Sequence, residues 1–263
     1  GAVAEMKGVI YETSPYTRVY DLTHEIPVYN VWEAAYRLQQ AAPYWPAGTI
    51  FISVVDPGVG TQRKGVVMKT KNGYYFVTPD NGTLTLVAEK MGIASLRQID
   101  EKLHSRKGSS GSYTFHGRDI FAYIAAELAS GKTSFEAVGP ELSPRIVKIP
   151  YQQPVLSNGV IKGNIPVLDP QYGNVWTNID STTFNGLKAK YGDSLQVTIS
   201  HADTLVFSGK VVYAKAFGDV AEGETLGYQN SLLNFSLAVN MGNFASKFHI
   251  SNGAGWNIEI RKQ

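Results

Sequence analysis

The spacing of hydrophobic residues changes near residue 150, and this change limits the folds that the chain can adopt. Before residue 150, segments with helical spacing alternate with short apolar runs, as they do in α/β domains. After it, short alternating runs dominate, which is typical of antiparallel strands. The sequence therefore predicts an N-terminal α/β domain over residues 1–150. A second, mainly antiparallel domain, either a small barrel or a sandwich, is predicted over residues 151–263.

Local signals define several elements within these domains. Asn30 and Glu33 form a capping box that predicts a helix over 31–42. Asp119 is placed to cap a second helix over 120–130. Further helices are predicted over 2–12 and 83–91, and strands over 18–22, 49–55, 65–70, 74–78, 159–168, 194–200, 203–216, 225–229 and 256–261.

Composition excludes several classes of protein. Of the 263 residues, 43% are hydrophobic and 17% charged, which indicates a globular chain with a core. A formal net charge of +2 gives no reason to expect nucleic acid as a partner. No apolar window approaches the roughly 18 residues of a membrane-spanning helix. The absence of cysteine removes disulfides, thiolate catalysis and cysteine-based zinc sites.

A carboxylate at the end of an apolar strand is the first candidate functional group. The β-branched and aromatic run over 49–53 leads into Val54-Val55-Asp56-Pro57-Gly58-Val59-Gly60. Ligands in open α/β sheets bind at the carboxyl ends of strands, which is where Asp56 lies. The other interpretation is a structural turn in which Asp56 bonds its own backbone.

Two further residues complete a set that could activate water. Arg63 follows the glycine turn, and His116 lies in Thr114-Phe115-His116-Gly117-Arg118-Asp119. In this hypothesis Asp56 and His116 accept the proton, and Arg63, which stays cationic, stabilises a developing hydroxide. The alternative is an ion pair between Asp56 and Arg63 with a histidine that caps a helix.

The segment 168–178 carries a mixture of polar and aromatic side chains. Asp169 and Asn174 could bond ribose hydroxyls or an α-amino group, while Tyr172 and Trp176 offer flat faces for stacking. This mixture suits a polar ligand with an aromatic ring. A tight turn whose rings lie in the core explains the same residues equally well.

Four motifs, in this order, resemble the SAM hydroxide adenosyltransferase family, which is related to the SAM-dependent fluorinase and chlorinase. They are VVDPGVGT (54–61), PDNG (79–82), TFHGRD (114–119) and LDPQYGNVWTNI (168–179), and weaker matches extend over nearly the whole chain. The resemblance implies hydrolysis of S-adenosyl-L-methionine (SAM) to adenosine and L-methionine. It also implies an N-terminal α/β sandwich-like domain with a central mixed sheet and a C-terminal antiparallel β-barrel, assembled as a homotrimer with sites between subunits.

The resemblance assigns roles to individual residues. It implies that Asp56, Arg63 and His116 are catalytic. The implied substrate contacts are Asp169, Tyr172, Asn174 and Trp176, with Tyr29, Phe217, Ser231 and Asn240 as further candidates for which structural roles are equally compatible. SAM is then the substrate rather than a cofactor. No metal is expected, because the remaining histidines, His24, His104, His201 and His249, lack chelating spacing.

The chain departs from the family at its beginning. The family opens with a strand that ends in a TDFG-like motif whose aspartate holds the ribose, and no substitute aspartate occurs in residues 1–17. We expect that strand upstream of Gly1, because its loss would expose an unpaired sheet edge. A leader peptide upstream also stays open, because the sequence starts at Gly1 without an initiator methionine. A cytoplasmic location is expected, since SAM is an intracellular metabolite, and export remains the other possibility.

Two other functions fit parts of this pattern. A SAM-dependent halogenase would need a pocket of neutral donors for the halide, and the carboxylate of Asp56 would repel that anion. A SAM- or nucleoside-binding protein without catalysis would account for the second-domain motif, but it would not need a group that activates water.

Overall fold

The computed structural model describes all 263 residues and divides them into two compact units, Gly1–Ile149 and Pro150–Gln263. Each unit is built on one β-sheet, and both sheets contain parallel and antiparallel pairs. No helix in the chain is both long enough and apolar enough to cross a membrane.

The first unit is an α/β domain. Its helices are α1 (Ala2–Thr13), α2 (Val31–Ala41), α3 (Thr85–Met91) and α4 (Tyr123–Ala129), with short 3-10 turns over Ala42–Tyr44 and Phe135–Ala137 and a π-helical turn over Gly117–Ala122. Its strands are β1 (Ile50–Ile52), β2 (Gly65–Thr70), β3 (Tyr75–Pro79), β4 (Ile93–Gln98) and β5 (Glu141–Leu142).

The sheet of the first unit has the order β1-β3-β2-β4-β5, and β1 is an edge strand. β1 runs parallel to β3, whereas the other pairs are antiparallel, so the predicted mixed α/β domain is confirmed. Side chains alternate along β2 because the period of a strand is two. Val66 and Met68 face the core beneath α2 and α3, while Val67 faces the core beneath α4.

Two local predictions in this unit were wrong and one is confirmed. Asn30 Oδ1 accepts a hydrogen bond from Glu33 N at 3.0 Å, so α2 begins with the expected cap. Asp119 does not cap a helix, because it lies inside the π-helical turn and binds Arg118 instead. Residues 18–22 form no strand, because they have no partner in either sheet.

The second unit consists mainly of β-structure. Its strands are β6 (Val155–Ser157), β7 (Val160–Asn164), β8 (Val167–Leu168), β9 (Val175–Asp180), β10 (Ser194–His201), β11 (Thr204–Tyr213), β12 (Thr225–Gln229), β13 (Asn234–Val239) and β14 (Trp256–Lys262). Two short helices, α5 (Ser181–Asn185) and α6 (Phe244–Phe248), accompany them.

The expected closed antiparallel barrel is not found in this unit. The nine strands follow the order β6-β7-β14-β10-β11-β12-β13-β9-β8, no ladder joins β6 to β8, and β11 pairs with β12 in parallel. The sheet nevertheless curls around one core, in which Phe184 and Phe235 stack at 4.7 Å between ring centroids. Alternating strands predict a buried face in either an open or a closed sheet, so the pattern could not distinguish the two.

Candidate active site

Asp56 lies at the carboxyl end of the β1 segment, in a hydrogen-bonded turn. Val59 N donates to the carbonyl of Asp56, and the N–H and hydroxyl of Thr61 both donate to the carbonyl of Gly58. Gly60 has a φ of +76°, a conformation that residues with a Cβ rarely adopt. The turn therefore returns the chain toward the Asp56 carboxylate and brings Arg63 beside it.

Arg63 and Asp56 form a buried ion pair with several hydrogen bonds. Arg63 Nε lies 3.0 Å from both carboxylate oxygens, and Nη2 lies 2.5 Å from Oδ2. The side chains are only 9% and 5% exposed, respectively. Paired N–H groups of a guanidinium match the geometry of a carboxylate, which fixes the orientation of both groups.

His116 extends the pair into a set of three. Arg63 Nη2 lies 2.8 Å from His116 Nδ1, and His116 is buried. A guanidinium has only donors, so Nδ1 must accept, and the ring in this contact carries its proton on Nε2. His116 Nε2 and Arg63 Nη1 are both buried without a hydrogen-bond partner. The Asp56–Arg63–His116 set therefore contains two buried N–H donors without a partner.

An aromatic ring and a glycine shape the space around Arg63. The guanidinium carbon lies 5.2 Å from the centre of the Phe121 ring, which is fully buried. A Cβ on Gly65 would come within 2.9 Å of that ring. The close approach of β2 to Phe121 therefore requires a glycine, and it keeps Arg63 over the aromatic face.

The π-helical turn that presents His116 is held by charged contacts. Arg118 donates to both carboxylate oxygens of Asp119, at 2.7 and 2.9 Å, and to Glu5 on α1 at 2.7 Å. These carboxylates, Asp119 first, raise the pKa of Arg118 above its ordinary value. π-helical turns occur frequently at functional sites, and this one begins directly after His116.

A cavity of about 470 Å³ lies along the free edge of β1. Its walls are mostly apolar and include residues of α1, α2, α4 and the 19–22 segment. At one end it reaches Val55 and Phe115, which immediately precede Asp56 and His116. The groove thus runs along an unpaired strand edge toward the Asp56–Arg63–His116 set.

The second unit brings three of its four predicted ligand residues together. Asp169 N donates to the carbonyl of Asn174 at 2.9 Å, which closes a loop ahead of β9. Asn174 is buried, and Trp176 follows it on β9 with a buried indole Nε1 that makes no hydrogen bond of normal geometry. Tyr172 lies at the tip of this loop and is 60% exposed, so it does not belong to the core.

Tyr228 belongs to this cluster and was missed by the sequence reasoning. Tyr228, Ser236 and Trp176 are in register across β12, β13 and β9, so their side chains share one face of the sheet. Burial raises the pKa of Tyr228 to about 12, and its hydroxyl lies close to Asn174 and to the charge of Asp169. No local signal marks Tyr228, because β12 and β9 pair only through β13.

The four further candidates occupy different environments. Phe217 is 44% exposed and packs on the Tyr228 ring at 5.0 Å between centroids. Asn240 Nδ2 donates to the carbonyl of Val220 and so supports the turn that carries Phe217. Ser231 is exposed between β12 and β13. Tyr29 is 74% exposed in the first unit, with a φ of +68°.

No group of three or more His, Asp or Glu side chains in the chain is arranged to hold a metal ion. His104 is bound on both ring nitrogens, by Glu127 at 2.7 Å and the carbonyl of Ala137 at 3.0 Å. His201 stacks on Trp256 at 4.6 Å. Both histidines therefore have structural contacts.

Together, the fold and the site define a class: a two-unit protein with a buried Asp–Arg–His set in an α/β unit and a polar, aromatic cluster in a β unit. The family model for the SAM hydroxide adenosyltransferase N-terminal domain matches residues 1–139, and the model for the C-terminal domain matches residues 163–257. The chain therefore belongs to the SAM hydroxide adenosyltransferase family.

Individual relatives agree with this assignment. Several curated relatives that are 32–36% identical over most of the chain are named (R)-S-adenosyl-L-methionine hydrolase. The one from Methanocaldococcus jannaschii is 36% identical over 223 residues, 82% of this chain and 75% of the relative. A fluorinase from Actinopolyspora mzabensis is 26% identical over 96% of this chain and 90% of its own.

A solved structure supports the fold. The crystal structure of an uncharacterized conserved protein from Thermotoga maritima matches with a TM-score of 0.88 and 39% identity. The match covers 99% of this chain and 95% of the other.

Proposed function

We propose that this protein hydrolyses SAM to adenosine and L-methionine. The observation that carries the proposal is the buried contact chain from Asp56 through Arg63 to His116, which combines a carboxylate, a fixed cation and an unused ring donor. Curated relatives named as SAM hydrolases support the choice of substrate.

The chemical difficulty lies in the nucleophile. The sulfonium of SAM already activates C5′ of the ribose, and methionine leaves as a neutral thioether. Free water has a pKa near 15.7, so forming hydroxide at pH 7 costs about 12 kcal/mol at about 1.36 kcal/mol per pKa unit. A site that accepts the proton and stabilises the developing charge lowers that cost.

Asp56 is the proton acceptor in this mechanism. Its carboxylate keeps about one free acceptor position beside the three contacts with Arg63, since two oxygens offer about four such positions. We propose that His116 acts as a hydrogen-bond donor rather than as a second proton acceptor. Because Nδ1 accepts from Arg63, Nε2 is a donor and can bond the attacking oxygen rather than take its proton.

Hydrolysis of SAM needs no reactant besides water for its atoms and electrons to balance. A bond forms between the water oxygen and C5′, the C5′–S bond breaks, and its electron pair remains on sulfur. The water proton passes to Asp56 and then to solvent. Alignment of water, C5′ and sulfur lowers the barrier further, because an aligned intramolecular arrangement removes an entropy cost. No cofactor or metal is required by this balance.

The cluster in the second unit is proposed to bind the substrate. Asp169 suits the α-ammonium or a ribose hydroxyl, and Asn174 suits the polar edge of the adenine. Trp176 and Tyr228 lie on one face of the sheet and offer aromatic surfaces for the nucleoside, with Phe217 beside Tyr228. Tyr172, Tyr29, Ser231 and Asn240 remain predictions as ligand contacts.

Incubation of the protein with SAM, followed by separation of the products, tests the activity. We expect adenosine and methionine in equal amounts, at a rate that does not depend on added chloride or fluoride. A 5′-halo nucleoside would instead indicate a halogenase. Binding of SAM without turnover would indicate a protein that only binds the ligand.

A homotrimer is proposed as the working assembly on the basis of the family resemblance alone, and a cytoplasmic location is proposed because SAM is an intracellular metabolite. In this proposal Asp56 of one subunit and Asp169 of another act on the same SAM. Co-expression of Asp56→Asn and Asp169→Ala chains tests the arrangement, because each is expected to be inactive alone. Shared sites predict recovery of about a quarter of the wild-type activity by random assembly, whereas sites within single subunits predict none.

A further inference from the structure

The Pro79-Asp80-Asn81-Gly82 turn has no part in the chemistry described above, yet it is tightly held. Asp80 N donates to the carbonyl of Lys64 at 2.8 Å, and Asp80 Oδ1 accepts from Val147 N at 2.9 Å. Gly82 has a φ of +106°, and a Cβ there would meet Ile149 at 2.6 Å. The backbone of the turn is therefore fixed, and Asn81 is presented in one orientation.

The side chain of Asn81 connects this turn to the catalytic segment. Its Nδ2 donates to the carbonyl of Val55 at 2.8 Å. Its Oδ1 accepts from Thr83 N at 3.2 Å and from Thr83 Oγ1 at 2.7 Å. The Thr83 N–H can only donate, so the amide oxygen must face Thr83 and the NH₂ must face Val55. Thr83 is fully buried, which fixes this orientation.

The Val55 carbonyl lies beyond the end of the β-ladder. The pairing of β1 with β3 ends where Ile52 faces Val77, and the next hydrogen bond is from Ser53 N to the carbonyl of Val77. The following contact along the backbone of this segment is the one that Asn81 donates to Val55. The Asn81 side chain thus holds the backbone at Val55, two residues beyond the last hydrogen bond to β3 at Ser53.

We propose that Asn81 is a positioning residue for Asp56. Val55 directly precedes Asp56, so a fixed Val55 carbonyl fixes the start of the turn from which the carboxylate projects toward Arg63. Asn81 touches none of the three catalytic residues and acts through the backbone. The expected effect of Asn81 on turnover rests on the proposed function, whereas its expected effect on the position of Asp56 does not.

The sharpest test uses Asn81→Asp, because this variant keeps the shape of the side chain and an oxygen for Thr83. It replaces the donor to Val55 by an oxygen, so that two acceptors face each other. We expect kcat for adenosine release to fall by about 10- to 100-fold, with the KM for SAM nearly unchanged, since displacement of a catalytic group by about 1 Å can cost that much. Asn81→Ala should act in the same direction.

Asp80→Ala is the matched control. It removes a hydrogen bond of the same turn, to Val147, and leaves the contact with Val55 in place. We expect its kcat to equal that of the wild type even if its melting temperature changes. All kinetics are measured well below the melting temperature of each variant, so that loss of folded protein does not contribute.

Crystal structures of wild type and Asn81→Asp give a readout that is independent of turnover. We expect the Val55 carbonyl to move away and the Asp56–Arg63 contact to lengthen. Unchanged kcat in both Asn81 variants, or an unmoved Val55–Asp56 segment, would overturn the inference. If the wild type releases no adenosine, the proposed function fails, and the crystallographic comparison still decides whether Asn81 positions Asp56.

Discussion

Replacement of Asp56 by asparagine should separate the contribution of the buried Asp56–Arg63 ion pair to stability from its proposed contribution to catalysis. The substitution keeps the size of the side chain but removes the charge that faces Arg63, whose side chain is 9% exposed. Loss of one partner of a buried ion pair costs about 3–5 kcal/mol, and the amide oxygen that remains should hold the loss near the lower end. We therefore expect the free energy of unfolding to fall by about 3 kcal/mol.

The same substitution should lower the rate of adenosine release by more than the loss of folded protein could explain. General-base catalysis contributes about 10²- to 10⁴-fold to a rate, so kcat for adenosine release should fall within that range. The KM for SAM should change little, because the predicted ligand contacts of the second unit are untouched. Denaturant titration and steady-state product analysis, both at a temperature where the variant is folded, measure the two effects.

A double variant provides the control for this prediction. Asp56→Leu with Arg63→Met replaces both charged side chains by apolar ones, and the methionine takes the place of the guanidinium against Phe121. Replacing both partners of a buried pair is often neutral or stabilising, so stability should recover while activity should not. Recovery of both, or a loss of activity below about 10-fold in Asp56→Asn alone, would refute the role of Asp56 as proton acceptor.

Three further predictions concern residues outside the Asp56–Arg63–His116 set. Tyr228→Phe should raise the KM for SAM several-fold without changing kcat, since the hydroxyl lies among the predicted ligand residues; an unchanged KM would remove Tyr228 from the site. Burial raises the pKa of Asp80 in the folded state, so the folded protein binds this proton more readily and loses stability as the pH rises through that pKa. Asp80→Asn should accordingly raise the melting temperature at pH 7, and this gain should vanish below the ordinary pKa of 3.8. An equal gain at all pH values would show that burial of the Asp80 charge is not its cause. Phe184→Ala in the second unit should cost about 3–5 kcal/mol of unfolding free energy by denaturant titration, because Phe184 is 1% exposed and stacks on Phe235, and a loss below about 1 kcal/mol would show that the core refills the space.

Local features of this fold could be predicted from the sequence because their causes are local. The cap of α2 depends on Asn30 and Glu33, which lie three residues apart. The proximity of Asp56 and Arg63 follows from one short turn. The residue types and the family resemblance suggest that His116 lies beside Arg63, 53 residues away, but no local pattern sets that distance.

Features that depend on distant partners could not be predicted in this way. Whether the second sheet closes depends on its edge strands β6 and β8, which contain only three and two residues and carry little pattern. Tyr228 joins the cluster of Asp169, Asn174 and Trp176 through register across three strands. The donor role proposed for His116 depends on which ring nitrogen meets Arg63, and no sequence pattern determines that choice.

The origin of the oxygen in the product tests the central claim most directly. The protein is incubated with SAM in water enriched in the heavy oxygen isotope, and the adenosine and methionine are analysed by mass spectrometry. The account predicts adenosine that carries one heavy oxygen at C5′, together with unlabelled methionine in equal amount. Unlabelled adenosine, a 5′-halo nucleoside, or no cleavage of the C5′–S bond would contradict it.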